Sequence, residues 1–425
     1  MYRTRNKKLL HLLIWPGALL ASSAIASQGT DVASQMSYYY NRTLDDCGPG
    51  RPLDLCSGLR LRGTDSMKGF EPWDPSPNSH KSGGVSMSFL RKDAKYQDLG
   101  LLKNNGFVLK PNDFIDPKYP TDKSGEMEIN TLCFFPIDAW TDTRNDSGCT
   151  DNALTNDRVE QSCQAAGVNT AEAWVKDYRN VKNDHKKQCG FAIRDRTDDA
   201  QAFWQGMRAR EMIKNDSDAI KTQTEIRVPA WDDGDDKKLP ILAFIYTPRT
   251  KTSKEGLDKA QDDQRRYFEK TGKWVPVIRV DLPKTNNEDA RFTYNKGDQS
   301  SKVSPPAVAN DCERYIESAT WVQRDDPYLK GKPWTLSITP TACGKKMTKE
   351  QQHAAYAELF SKYGNDPRWS PDNGSMYRQF VCHQEWSGEV DGKKVYARDK
   401  PAWNLEPARP FAEWSEVFKQ GCNNY

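Results

Sequence analysis

The chain has 425 residues, with 62 lysines and arginines against 59 aspartates and glutamates and a formal net charge of +3. Four basic and no acidic residues lie in the first 26 positions, so the rest is close to neutral and lacks the basic surface typical of nucleic-acid-binding proteins. Hydrophobic residues make up only 36% and aromatic residues 11%, so we expect a core of a few large rings supplemented by disulfides.

Residues 1–26 have the pattern of a secretory signal peptide. A basic start is followed by the apolar run Leu9–Leu20 and by the small-x-small site Ala24–Ala26. We predict cleavage before Ser27 and a secreted, extracellular protein, with the periplasm as an alternative. An uncleaved anchor is disfavoured because Pro16 interrupts the apolar run, and no later stretch is long and apolar enough to span a bilayer.

All ten cysteines follow this segment. An even number of cysteines in an exported chain indicates a disulfide framework. Zinc is the competing hypothesis, but Cys-x-x-Cys is absent, so we predict no metal site. Sequence alone leaves the connectivity open, and the spacing favours sequential pairs: Cys47–Cys56, Cys133–Cys149, Cys163–Cys189, Cys312–Cys343 and Cys382–Cys422.

The first half of the chain is predicted to contain strands separated by long polar segments. Residues 27–46 are polar and expected to be partly mobile. Hydrophobic and polar residues alternate in the predicted strands at 57–62 and 85–90, and a third strand is predicted at 131–137. Residues 141–190 are polar and carry cysteines, which is typical of an insertion.

Helices and strands are interspersed in the second half. Asp233-Gly234 is typical of a tight turn, so we expect the strand after it to return beside the one before it. A strand–helix–strand run that includes a helix ending at Gly272 predicts a crossover unit. The predicted elements, in order, are a helix from Thr197, strands at 225–228 and 239–247, a helix at 255–271, strands at 275–280 and 334–339, a helix capped by Thr348 and Gln351 and ending near Gly364, and a last helix from Pro410.

These elements predict an α+β fold, with a mixed β-sheet core, flanking helices and disulfide stabilisation. We divide the chain into the signal peptide at 1–26, a region at 27–250 that carries the cysteine-rich insertion at about 141–190, and an α/β region at 251–425 packed on it.

Three short segments carry a functional resemblance. Arg62 lies near the end of one predicted strand, Ser86-Met87-Ser88 lies in the next, and Gln223-Thr224-Glu225 begins a later one. In this order they resemble the arginine–serine–glutamate class of ADP-ribosyltransferase toxins. The resemblance implies an ADP-ribosyltransferase-like fold in the region at 27–250 and cleavage of NAD, which is consumed as a substrate, without a cofactor or metal.

The resemblance also implies roles for individual residues. Glu225, Arg62 and Ser86 would be catalytic, and Arg62, Ser88 and Gln223 would bind the substrate. A carboxylate such as Glu225 can stabilise the oxocarbenium-like state formed when the nicotinamide–ribose bond breaks, and we expect it to line a solvated cleft. Arg62 offers a planar, permanently charged donor for a pyrophosphate.

A wider resemblance, to the halovibrin family of secreted NAD-cleaving proteins of marine bacteria, spans most of the chain. It implies a secreted NAD glycohydrolase or mono-ADP-ribosyltransferase toxin, a virulence protein whose acceptor is water or a protein side chain. The segments that carry it are Leu55–Gly58, Trp73–Ser79, Gly83–Ser86, Val275–Arg279 and Trp403–Pro407.

Several alternatives stay open. Glu126-Met127-Glu128 is a rival glutamate motif, so Glu128 competes with Glu225 as the catalytic acid. The acidic run 232–236 could suit calcium, although we predict a solvated hairpin tip. The alternative function is a non-catalytic, disulfide-stabilised secreted binding protein, such as an adhesin or a lectin-like module.

Overall fold

The architecture comes from a computed structural model. No helix in its described part is both long and apolar enough to cross a bilayer. The described residues are 17–44, 47–48, 56–64, 71–74, 79, 84–99, 103–111, 126–127, 129–139, 162–180, 189–193, 196–216, 219–232, 234–248, 253–303, 314–326, 329, 331–369, 372, 374–390, 392–412 and 414–422. In these residues the α-helices are α1 (Gly17–Tyr40), α2 (Ala171–Asn180), α3 (Arg196–Met212), α4 (Ser253–Thr271), α5 (Lys349–Tyr363), α6 (Ser375–Glu385) and α7 (Trp414–Lys419).

A nine-stranded mixed sheet forms the centre of the described structure. Its strands are β1 (Leu59–Gly63), β2 (Val85–Leu90), β3 (Asn105–Leu109), β4 (Cys133–Phe135), β5 (Phe191–Ala192), β6 (Glu225–Val228), β7 (Ile241–Tyr246), β8 (Val277–Asp281) and β9 (Arg291–Tyr294). They lie side by side in the order β5-β4-β6-β2-β1-β3-β7-β8-β9. The parallel pair is β7 with β8, and the other neighbours are antiparallel. The predicted α+β class with a mixed sheet is therefore confirmed.

The predicted crossover unit is formed by β7, α4 and β8. The two strands are parallel, and α4 packs on the sheet through Tyr267, whose ring lies 5.6 Å from that of Phe244. Gly272 ends the helix at φ +74°, a left-handed conformation that favours glycine.

The C-terminal part of the chain forms two smaller sheets. Thr348 caps α5, and Thr348 and Gln351 make the predicted capping box. One sheet has the order β10-β11-β14 and the other is a hairpin of β12 and β13. These strands are β10 (Ile316–Gln323), β11 (Trp334–Pro340), β12 (Ser387–Val390), β13 (Lys393–Tyr396) and β14 (Trp403–Leu405).

Hydrophobic residues of the central strands of the large sheet belong to two separate core clusters, one on each face. Leu61 and Val108 face a cluster that also contains Trp403 and Phe380 of the C-terminal part. Met87 and Ile226 belong to the other cluster. The expected boundary at residue 250 thus falls between neighbouring strands of one sheet, and one core contains residues from both sides of it.

The expectation that residues 27–46 are polar and partly mobile is wrong for the second half of α1. Met36, Tyr39 and Tyr40 are almost completely buried in the first core cluster. Tyr40 donates to Asp289 at 3.2 Å and accepts from the Ala290 backbone N–H at 3.0 Å. Burial of these rings against the sheet overrides the polar composition of the segment. Residues 1–16 of the predicted signal peptide lie outside the described residues.

Two further expectations about the elements are corrected, and one strand is additional to those predicted. The strands before and after Asp233-Gly234 do not form a hairpin, because β2, β1 and β3 lie between β6 and β7. Gly234, at φ +96°, instead precedes a 3-10 helix at Asp235–Lys238. The strand β3 was not predicted, and the last helix begins at Trp414 rather than Pro410.

Disulfides stabilise the described structure. The predicted pairs Cys47–Cys56, Cys163–Cys189 and Cys382–Cys422 are confirmed. Cys133 and Cys343 are also disulfide-bonded, and their expected partners, Cys149 and Cys312, lie outside the described residues. In the expected insertion, α2 packs against α3 in a small core of its own.

Candidate functional site

The three strands that carry the predicted motif are neighbours. In the large sheet β2 lies between β6 and β1. Ser88 is directly opposite Glu225 on one side and opposite Leu61 on the other, and Ser86 is opposite Arg227. Opposite residues of antiparallel strands point to the same face, so Ser86, Ser88 and Glu225 share one face of the sheet.

Arg62 lies on the other face. Its neighbour Leu61 is paired with Ser88, and successive side chains of a strand alternate between faces. On the opposite side Arg62 is paired with Phe107, which belongs to the second core cluster. The structure therefore brings both serines, Gln223 and Glu225 together, and it does not bring Arg62 to them.

Glu225 is a buried carboxylate with two close partners. Its side chain accepts a hydrogen bond from the Ala139 backbone N–H at 2.9 Å, and its other oxygen lies 3.6 Å from Nε of Arg227. The residue is 5% exposed. The expectation that Glu225 lines a solvated cleft is therefore wrong, because its side chain is buried against Ala139 and Arg227.

Ser88 and Gln223 form a hydrogen-bonded chain beside this carboxylate. The Ser88 hydroxyl donates to the Gln223 carboxamide oxygen, and the Gln223 carboxamide nitrogen donates to Asp138 at 3.5 Å. Burial raises the pKa of the neighbouring Tyr96 phenol above its ordinary range, while Ser88 and Arg210 act in the opposite direction. These side chains form a compact polar cluster on the Ser88 face.

Arg210 also belongs to this region, although it is part of none of the predicted motifs. Its guanidinium is buried and donates to the backbone oxygens of Lys95, Pro136 and Thr222, the last at 2.9 Å. Burial lowers its pKa to about 10. The sequence did contain an indication, since Arg210 follows Phe203 by seven residues and Met207 by three and so lies on the same face of α3 as these two apolar residues.

A cavity of about 480 Å³ adjoins the cluster at Arg210. Its cations are largely paired, since Lys95 lies 2.8 Å from Asp289 and Lys214 pairs with Glu211. Side-chain amides supply further hydrogen-bonding groups. The lining includes Lys92, Lys95, Arg210, Lys214, Asn286 and Asn287.

The other candidate sites of the sequence give different results. Glu126 of the rival motif lies 2.7 Å from Nζ of Lys110 and 3.2 Å from Nζ of Lys273, and Glu128 lies outside the described residues. Asp236 of the acidic run is buried in an ion pair with Lys270 rather than solvated. Within the described ranges, no group of three or more histidines, cysteines and carboxylates is arranged to hold a metal ion.

Comparisons with known proteins match about a quarter of the chain. Over 113 residues the chain is 29% identical to uncharacterized proteins of Mycobacterium bovis and of two strains of Mycobacterium tuberculosis. The match covers 26% of this chain and 66% of each relative, just under two thirds of their length. No solved structure matches the chain significantly. Residues 316–425 match a family described as "Protein of unknown function (DUF2599)".

Proposed function

We propose that this chain is an exported enzyme that cleaves the nicotinamide–ribose bond of NAD, with water or a protein side chain as acceptor. The observation that carries the proposal is the register of two strands, in which Ser88 lies directly opposite Glu225. Gln223, two residues before the glutamate, is hydrogen-bonded to the same serine. The motif residues on β2 and at the start of β6 are thus close in space as well as ordered in sequence.

The chemistry assigned to these residues is electrostatic. As the glycosidic bond breaks, its electron pair leaves with nicotinamide and positive charge develops on the ribose. A fixed carboxylate stabilises this charge, and Glu225 is fixed by the Ala139 N–H and by Arg227. Water then adds to the anomeric carbon and releases a proton, or a protein nucleophile takes its place. Gln223 would orient the acceptor.

Because Glu225 is buried, a substrate must displace one of its protein partners to reach it. In the proposed complex a ribose hydroxyl replaces the Ala139 N–H as the donor to the carboxylate. Arg62 lies on the opposite face, so we assign the pyrophosphate to the cavity beside Arg210 instead. Lys92, Lys95 and Lys214 line that cavity, and their partly exposed ion pairs are weak enough to exchange for phosphate.

The test is incubation of oxidised, purified protein lacking residues 1–26 with NAD, followed by detection of free nicotinamide. We expect nicotinamide release, with ADP-ribose either free in solution or attached to an added acceptor protein. The absence of nicotinamide under both conditions, from protein whose disulfides are intact, would contradict the proposal.

Export is part of the proposal and has a separate test. The disulfides are compatible with an oxidising compartment. Cleavage after Ala26 would leave intact the buried residues of α1 between Gly29 and Tyr40. We expect the intact mass of the protein recovered outside the cytoplasm to correspond to a start at Ser27 without alkylated thiols. A start inside 29–40 would contradict this prediction.

One observation favours a second candidate, a non-catalytic secreted binding protein of the adhesin or lectin-like kind. Both oxygens of the buried Glu225 face protein groups, as expected of a structural carboxylate. If this candidate is correct, the folded, oxidised protein releases no nicotinamide and Glu225→Gln changes only its stability.

A further inference from the structure

A second cavity lies in the C-terminal part of the chain, within the region of unknown function. It has a volume of about 640 Å³, in the range of small-molecule sites. Two short 3-10 helices, Gly344–Lys346 and Ala397–Asp399, contribute to it together with the end of α6. Its polar lining consists of Lys345, Lys346, Gln384, Tyr396, Arg398 and Asp399.

Cations dominate this lining. Neither Lys346 nor Arg398 has a carboxylate within ion-pair distance among the described residues. Arg398 is held over the Tyr396 ring at 4.5 Å, and Lys345 donates to the Asp399 backbone oxygen at 3.4 Å. Two positive charges therefore remain available to an anionic group.

Gln384, which lines the same cavity, has an unfulfilled acceptor. The residue is 3% exposed, and its amide nitrogen donates to the backbone oxygens of Lys345 at 3.1 Å and Met347 at 3.5 Å. These two carbonyls fix the orientation of the amide, because only the nitrogen can donate to them. Its Oε1 is buried and has no hydrogen-bond partner in the described structure. A ligand with a hydroxyl or N–H donor would remove the cost of this unsatisfied group.

We infer that this cavity binds a small anionic sugar. Lys346 and Arg398 hold the anionic group, while Gln384 and the Asp399 carboxylate accept hydrogen bonds from hydroxyl groups. A sugar phosphate and a uronate present the same combination of charge and hydroxyl donors. The site is independent of the proposed NAD cleavage, because it shares no residue with the cluster around Glu225.

Calorimetric titration of the full, oxidised chain tests the inference. Glucose 6-phosphate and glucuronate distinguish a phosphate from a carboxylate ligand, and glucose serves as the neutral control. We expect saturable binding of one or both charged sugars, at least tenfold tighter than that of glucose. Equal binding of glucose, or no binding of either charged sugar at millimolar concentration, would overturn the assignment.

Substitutions locate the binding. Arg398→Gln and Lys346→Gln should each weaken the charged sugar about tenfold, the scale of one lost charge-assisted hydrogen bond. Lys302→Gln, which removes an exposed lysine outside the cavity, should leave the affinity unchanged. Gln384 is left unchanged because it also donates to two backbone carbonyls. Lys346 is exposed, so its substitution leaves the core intact. Unchanged affinity in both cavity variants, or an equal loss in Lys302→Gln, would refute the site.

Discussion

At the scale of single residues, the proposed chemistry depends on the charge of Glu225. Glu225→Gln keeps an oxygen that can accept from the Ala139 N–H but removes the negative charge. We expect NAD cleavage to fall by about 10²–10³, the scale of losing one key electrostatic group. The affinity for NAD should change little, because the charge acts mainly in the transition state. Rates of nicotinamide release at several NAD concentrations separate these two effects.

The matched control for this variant is Glu128→Gln, in the rival motif. We expect it to cleave NAD at the wild-type rate. An inactive Glu128→Gln beside an active Glu225→Gln would move the catalytic acid to Glu128. Full activity in both variants would end the arginine–serine–glutamate interpretation.

Asp263, on α4, predicts a dependence of stability on pH. Burial raises the pKa of its carboxyl to about 7, against a lowering effect of the Asn105 side chain, which donates to it at 3.0 Å. From about pH 4 to pH 7 the folded state therefore binds a proton that the unfolded state has released. The residue thus makes the free energy of unfolding fall as the pH rises through this window, by up to about 4 kcal/mol.

Asp263→Asn should remove this effect while keeping an oxygen for Asn105. Relative to the wild type, the variant should become progressively more stable between pH 4 and pH 7 and then stay constant. Urea unfolding at pH 4.5 and pH 8 measures the difference. Asp262→Asn, in the exposed ion pair with Arg265, should show no such trend. A difference that is the same at both pH values would contradict the assignment.

At the scale of elements, the end of α4 depends on one glycine. Gly272 has φ +74°, and a Cβ added there would meet no atom within 4 Å, so the cost of a side chain is conformational. We expect Gly272→Ala to lower the free energy of unfolding by about 1–2 kcal/mol. Gly297→Ala, where a Cβ also meets nothing and φ is not positive, should be nearly neutral. Equal effects would show that left-handed strain is not the cause.

The sequence was informative where a local pattern determines an element. The alternation at 85–90 and the strand predicted at 225–228 match β2 and β6, and the capping box starts α5 as expected. The tight-turn pattern at Asp233-Gly234 was misleading, because a turn fixes the local backbone but not which strands pair. The position of β7 in the sheet depends on its pairing with β3, a strand that is distant from it in sequence.

The geometry of the site could be predicted only in part, for a related reason. The order of the motifs indicated that the strands meet, but a shift of one residue in register moves a side chain to the other face. Ser88 is paired with Leu61 rather than with Arg62, and this places the arginine on the opposite face. Arg210 was not recognised because its three backbone acceptors lie on separate segments of the chain.

At the scale of the whole molecule, α1 joins the large sheet to the C-terminal region. Its residues Tyr38 and Met36 lie in one core cluster with Tyr356 of α5 and Leu61 of β1. The ring of Tyr38 meets that of Tyr356 edge-on at 5.7 Å. The region that matches the family of unknown function is therefore packed into the same core as the sheet that carries the candidate site.

The disulfides should contribute to the stability of the folded chain in the order of the lengths of the loops that they close. Cys382–Cys422 spans 40 residues and Cys47–Cys56 spans 9, and all four cysteines are buried. A disulfide restricts the unfolded chain and thereby stabilises the folded state. The expected gain is about 4 kcal/mol for the longer loop and about 2.5 kcal/mol for the shorter one. Replacing both cysteines of each pair by alanine removes a buried contact of the same kind in both variants. We expect urea unfolding to show that the variant without Cys382–Cys422 is about 1 kcal/mol less stable than the variant without Cys47–Cys56. The reverse order would mean that packing in the native state, rather than loop closure, determines the contribution of each bridge.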